Sequence, residues 1–117
     1  MDMNEEYEKI VTEIIANSGM ARSCILQAIR AVREGKIAEC DSLCEEAEKY
    51  LENAHLTQTE LLREEISGKG MAVTLLMVHA QDHLMTAITT KELGMELIKE
   101  IKERRNREAS QHKGLSA

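Results

Sequence analysis

Apolar residues recur at spacings of three and four along most of this 117-residue chain. That is the period of α-helices with one face turned to a core. In the first segment Tyr7, Val11, Ile14, Ala21, Ile25, Ala28 and Val32 mark the stripe, and Ile10, Ile15, Cys24 and Ile29 widen it. The pattern predicts a helix over 4–33. Asn17-Ser18-Gly19 interrupts it. A glycine inside a helix costs about 1 kcal/mol against alanine, so a kink or a close approach is expected there. Glu34-Gly35-Lys36 ends the helix, with Gly35 as its C-terminal cap. A second helix is predicted over 37–66, striped by Ile37, Cys40, Cys44, Ala47, Leu51, Ala54 and then Leu61 or Leu62. Gln58 falls where an apolar residue is expected, and His55 lies beside it. Ser67-Gly68-Lys69-Gly70 reads as a loop.

A third helix is predicted over 71–106, and it carries two stripes. One is Val73, Leu76, Ala80, Leu84, Ala87, Ile88, Met95, Ile98 and Ile101. The other is Leu75, His79, Asp82 and Thr86, with Met85 and Thr89 close by. Residues 107–117 have no period and are expected to form a flexible basic tail. Short links between long helices make neighbours antiparallel, so residues 1–106 read as one all-α domain, an antiparallel three-helix bundle. Such a bundle covers one face of each helix. The second stripe of the third helix is left for a partner or for copies of the same chain.

Composition agrees with this reading. The chain has no Pro, 6 Gly, no Phe, no Trp and 2 Tyr, so aliphatic residues and the 7 Met must fill the core. Scarce aromatics argue against a stacking platform for single-stranded nucleic acid. A net charge of −6 makes DNA and anionic lipid poor partners. The basic cluster Lys102, Arg104, Arg105, Arg107 and Lys113 is interrupted by Glu103 and Glu108, and reads as a solvated helix end. Cys24, Cys40 and Cys44 are odd in number and form no CxxC, which suggests reduced thiols packed in a cytoplasmic protein. No signal peptide and no apolar run near 18 residues is present, so neither secretion nor membrane insertion is expected.

The chemistry concentrates in Val78-His79-Ala80-Gln81-Asp82-His83-Leu84-Met85. At about 100° per residue, Asp82 lies about 60° to one side of His79 and His83 about 40° to the other. Three ionisable groups on one arc cost several kcal/mol to bury unpartnered, so this face meets solvent, a metal, a phosphoryl group or another subunit. A neutral imidazole can accept a phosphoryl group on nitrogen and pass it on. No Gly-rich nucleotide loop is present, so the donor would be another phosphoprotein. Folding the second helix onto the third brings Gln58 level with His79, which makes Gln58 and His55 candidate orienters of its ring. His79, Asp82 and His83 could instead ligate a metal, as in a metal-dependent hydrolase. The chain could also be a helical adaptor or regulator that is never phosphorylated. The pattern alone leaves these open.

The stretch Val78-His79-Ala80-Gln81-Asp82-His83-Leu84-Met85-Thr86 resembles the signature of the lactose/cellobiose-type enzyme IIA of the bacterial phosphoenolpyruvate-dependent sugar phosphotransferase system. Asn17-Ser18-Gly19-Met20-Ala21-Arg22-Ser23 and Ala54-His55-Leu56-Thr57-Gln58-Thr59-Glu60-Leu61-Leu62 match it in order, and the resemblance covers about residues 5–102. It implies three-helix subunits in a parallel homotrimer. It implies that His79 is phosphorylated at Nε2 by phospho-HPr and passes the group to a cysteine of the cognate IIB component during uptake of a sugar of the lactose, cellobiose or chitobiose type. It also implies that Asp82 meets its copies on the threefold axis, where one Mg²⁺ per trimer binds. Gln81 and His83 are candidates for supporting the phosphoryl group.

Overall fold

The computed structural model describes residues 3–116. Residues 1, 2 and 117, at the outer ends of the expected domain and tail, and the side chains of Met3, Asn4, Lys113, Leu115 and Ser116 lie outside the described part. Three helices follow one another: α1 (Met3–Arg33), α2 (Ile37–Ile66) and α3 (Leu75–Ser116). No strand occurs among the described residues. The chain is therefore the expected all-α three-helix bundle, and α1 and α2 run as the apolar spacing predicts.

Both turns are fixed by backbone bonds. At the end of α1 the Lys36 N–H donates to the Ala31 carbonyl at 2.9 Å and the Gly35 N–H to that of Val32 at 3.1 Å. The same pair of bonds closes α2, from Lys69 to Glu64 and from Gly68 to Glu65. This is the Schellman arrangement, which needs a left-handed residue after the helix. Gly35 at φ +80° and Gly68 at φ +85° supply it without a Cβ penalty.

α2 and α3 each pack along α1, and they approach one another only sparsely. The core is made small by its composition. Ala21, Ala28, Ala31, Ala47, Ala54, Ala80 and Ala87 are buried among Val11, Ile14, Ile25, Val32, Leu51 and Leu84. Ser18 takes the place in the α1 stripe between Ile14 and Ala21. Its hydroxyl is buried with no hydrogen-bond partner among the described residues, a defect worth about 1–3 kcal/mol. At the interruption expected around Gly19, α1 continues unbroken, and a Cβ there would meet nothing within 4 Å.

The core stripe of α3 is shifted from the expected one. Met77, Ala80, Leu84, Ala87, Ile98 and Ile101 are buried, whereas Val73, Leu76 and Met95 are exposed. Gly94 and Lys91 occupy the positions that complete the repeat. Gly94 is buried against Ile25, whose Cγ2 a Cβ here would meet well inside van der Waals contact. Lys91 is drawn to α2 by a 2.7 Å ion pair with Glu48. An apolar count passes over both residues, which moves the inferred face.

The start of α3 also differs. Thr74 accepts the Met77 N–H on Oγ1 at 3.2 Å and hydrogen-bonds the Tyr7 hydroxyl. This cap starts the helix at Leu75 rather than at 71. At the other end, α3 continues through the expected tail to Ser116. Lys102 pairs with Asp41 of α2 at 2.7 Å, and Arg105 donates to the Arg33 carbonyl at the end of α1 at 3.2 Å. Beyond those anchors, good helix formers such as Arg107, Glu108, Ala109 and Gln111 extend the helix without a core face. The basic cluster thus partly ties α3 to the α1–α2 turn.

Gly94→Ala forces a methyl into Ile25, which is itself buried and cannot move aside. Denaturant unfolding should show a loss of about 1–3 kcal/mol. Gly19→Ala, with open space around it, should gain up to about 1 kcal/mol from helix propensity alone.

The three cysteines are free. Burial raises the pKa of Cys24 and Cys40, and that of Cys44 is pushed from 9.0 up to about 11 by burial and by neighbouring Cys40. The folded chain therefore holds these protons more tightly than the unfolded one. Below pH 9 both states are protonated and stability is unaffected. Above pH 9 the unfolded thiols ionise first, so stability falls toward pH 11. Urea midpoints measured at about pH 8 and about pH 10 should fall in that direction, and Cys44→Ala should flatten the fall.

Candidate functional site

The N-terminal half of α3 presents two faces. Met77, Ala80 and Leu84 are buried against α1 and α2, and Leu75, Val78, His79, Asp82, Met85, Thr86, Thr89 and Leu93 are exposed. The second stripe expected from the sequence is thus uncovered along its length. Leu75 is 85% exposed and Leu93 68%. Leu75, Val78, Met85 and Leu93 make it partly apolar, and His79, Asp82, Thr86 and Thr89 partly polar.

His79 and His83 are one turn apart and touch. Their Nε2 atoms lie 3.1 Å apart, with ring centroids at 4.5 Å and ring planes at 88°. His79 is exposed and His83 half-buried. At this separation one Nε2 carries a proton that the other accepts. Which ring donates depends on the tautomer.

Asp82 is exposed and stands between two hollows. One, of about 310 Å³, lies between the end of α2 and the start of α3 and is lined by Leu61, Leu62, Met77, Val78, Gln81 and Asp82, among others. The second, of about 440 Å³, is formed by Leu75, Leu76, Val78, His79 and Asp82. Val78 and Asp82 form the ridge between them. His79 therefore stands at the rim of a shallow apolar depression, which a protein surface can fill.

Gln58 does not orient His79. Its Nε2 donates to Gln81 Oε1 at 2.5 Å, and the Gln81 amide turns toward Met77 Sδ at 3.9 Å. The level expected for Gln58 on α3 is nearly right, but its direction points to Gln81, two residues on and on the core side. His55 is exposed, and its ring has no hydrogen-bond partner among the described residues. The group that meets His79 is His83. Among the described residues no set of three or more His, Cys, Asp or Glu side chains converges as a metal site. His79, Asp82 and His83 of one chain do not converge as three ligands. No helix among the described residues is long and apolar enough to cross a membrane.

Comparison with known proteins gives one answer. The family described as the lactose/cellobiose-specific IIA subunit of the phosphotransferase system matches residues 9–102. The lichenan-specific phosphotransferase enzyme IIA component of Bacillus subtilis is 45% identical over 96 residues, spanning 82% of this chain and 87% of that protein. The crystal structure of a cellobiose-specific enzyme IIA from Bacillus anthracis superimposes with a TM-score of 0.83 at 40% identity, covering 91% of this chain and 94% of that one. The chitobiose-branch IIA of Escherichia coli, solved as a complex with HPr, has a TM-score of 0.73 at 36% identity, with coverage of 84% and 95%.

Proposed function

Because this chain belongs to the lactose/cellobiose-specific IIA family of the sugar phosphotransferase system, we propose that His79 is its phosphoryl carrier. The donor is phospho-HPr and the acceptor a cysteine of the cognate IIB component. The observation that carries the reading is an exposed imidazole at the rim of an apolar hollow, with its Nε2 3.1 Å from a second imidazole. A relative solved with HPr supports the choice of donor.

The transfer requires His79 to have a lone pair on Nε2, with its proton on Nδ1. That lone pair attacks phosphorus in line as the P–N bond to the HPr histidine breaks, and the HPr imidazole leaves with the bonding electrons. The second transfer repeats the exchange, with the IIB thiolate as nucleophile and the His79 imidazole as leaving group. Such steps need mainly positioning and charge compensation. With its proton on Nε2, His83 bonds to His79 in the resting chain. After transfer it is placed to donate to a phosphoryl oxygen. Gln81, held by Gln58, is a further amide next to Asp82.

The uncovered face of α3 is proposed as the seam of a parallel homotrimer, which brings three copies of Asp82 together. Exposed carboxylate oxygens suit a hard cation, and Mg²⁺ held by the three Asp82 side chains would neutralise their mutual repulsion. The helical assembly works in the cytoplasm beside the membrane component and does not insert itself.

Incubation with phosphoenolpyruvate, enzyme I and HPr tests the proposal. The chain should gain an acid-labile, base-stable phosphate and lose it when the IIB component is added. A chain that binds HPr and gains no phosphate is an adaptor, and the carrier reading is then wrong.

A further inference from the structure

We propose that His79 and His83 form a two-point chelate for a late first-row transition-metal ion, such as Zn²⁺ or Ni²⁺. The separation of the two nitrogens suits such a chelate. At a metal–nitrogen distance of 2.0–2.1 Å, nitrogens 3.1 Å apart subtend about 95–102° at the ion. That lies between the octahedral and tetrahedral ligand angles. The ion takes the place of the bridging proton but stands off the line between the two nitrogens, where both lone pairs meet once the rings turn toward it. As the ion binds, the Nε2 proton of one ring moves to its Nδ1, both Nε2 lone pairs are donated, and no net proton is released.

Other features of the site agree. The two rings come from adjacent turns of one helix, and their rotamers already bring the Nε2 atoms to 3.1 Å. His79 is exposed and leaves open positions for water. Two protein ligands, rather than three, make the site reversible. Imidazole selects zinc, copper and nickel over magnesium, which prefers oxygen. The site is therefore chemically distinct from the Asp82 carboxylates. Burial raises the pKa of Cys40 and Cys44, which weakens them as thiolate ligands.

The consequence rests on the carrier reading. A lone pair donated to a metal cannot attack phosphorus, so metal binding and phosphorylation of His79 exclude one another. The carrier then stops when free transition-metal ion rises, with Mg²⁺ having no such effect.

The test titrates chelator-stripped protein with Zn²⁺ and with Ni²⁺ by calorimetry, in excess Mg²⁺. One ion per chain is expected. His79→Ala and His83→Ala should each weaken binding about tenfold or more, while Asp82→Leu leaves it unchanged. Circular dichroism of each variant reports that the helices persist. Unchanged binding in a folded His83→Ala chain, or loss in Asp82→Leu alone, overturns the proposal. A second readout follows the rate of phosphate acceptance from preformed phospho-HPr, as a ratio with and without Zn²⁺. The wild-type ratio should fall at least about tenfold and recover on adding a chelator, and the His83→Ala ratio should stay near one. Wild-type protein that binds zinc at the pair but accepts no phosphate even in chelator would refute the carrier reading and leave the metal site standing. Wild-type protein that accepts phosphate at the same rate with the site filled overturns the exclusion.

Discussion

His79→Ala is expected to accept no detectable phosphate from phospho-HPr while keeping its helices and its association state. The His79 side chain is exposed and contacts the neighbouring ring rather than the core, so its removal leaves no cavity and breaks no buried hydrogen bond. Loss of acceptance in a folded chain then reports chemistry rather than stability. His83 is the control. If His83 were the acceptor, His79→Ala would remain active. In the present account His83→Ala still accepts phosphate, slowed by about tenfold to a hundredfold through loss of a positioned donor. Stopped-flow or quench measurement of the two variants side by side separates nucleophile from support.

The second large effect concerns the uncovered face of α3. Leu93→Glu puts a charge at the C-terminal end of the proposed seam, on a residue that is 68% exposed in the single chain. Burying an unpaired carboxylate in three copies is costly, and sedimentation at micromolar concentration should show monomers in place of trimers. The same exposure predicts little change in the helicity of the monomer. Asp82→Leu should act in the opposite sense. Two carboxylates about 4 Å apart repel by roughly 4 kcal/mol at an effective dielectric of about 20, so the variant keeps the trimer, loses any stabilisation by Mg²⁺, and melts at a higher temperature in chelator. Wild-type protein that sediments as a monomer throughout that range contradicts the seam.

Much of this was legible in the residues. The three-and-four spacing marked α1 and α2, because nearly every position on those stripes is apolar and Gly35 signals the first turn. The arc of His79, Asp82 and His83 followed from helix geometry alone. α3 was harder. Its cap is Thr74, inside an apolar run that conceals the boundary, and its core face includes Gly94 and Lys91, which no apolar pattern marks. The helix through 107–116 has no hydrophobic period to reveal it. Propensity and the bonds of Lys102 and Arg105 to the other helices support it, and those bonds are tertiary. Gln58 stood out correctly as a polar residue on a core stripe. Which residue it meets was set by the rotation of α3 about its own axis. The contact between the two imidazoles depends on side-chain rotamers, which spacing does not specify.

The most direct measurement is the intact mass of the chain after incubation with phosphoenolpyruvate, enzyme I and HPr, followed by fragmentation under basic conditions. One added phosphoryl group per chain is expected, located on His79 and absent from His79→Ala. An unchanged mass in a folded chain that still binds HPr, or a phosphate located on any other residue, would contradict it.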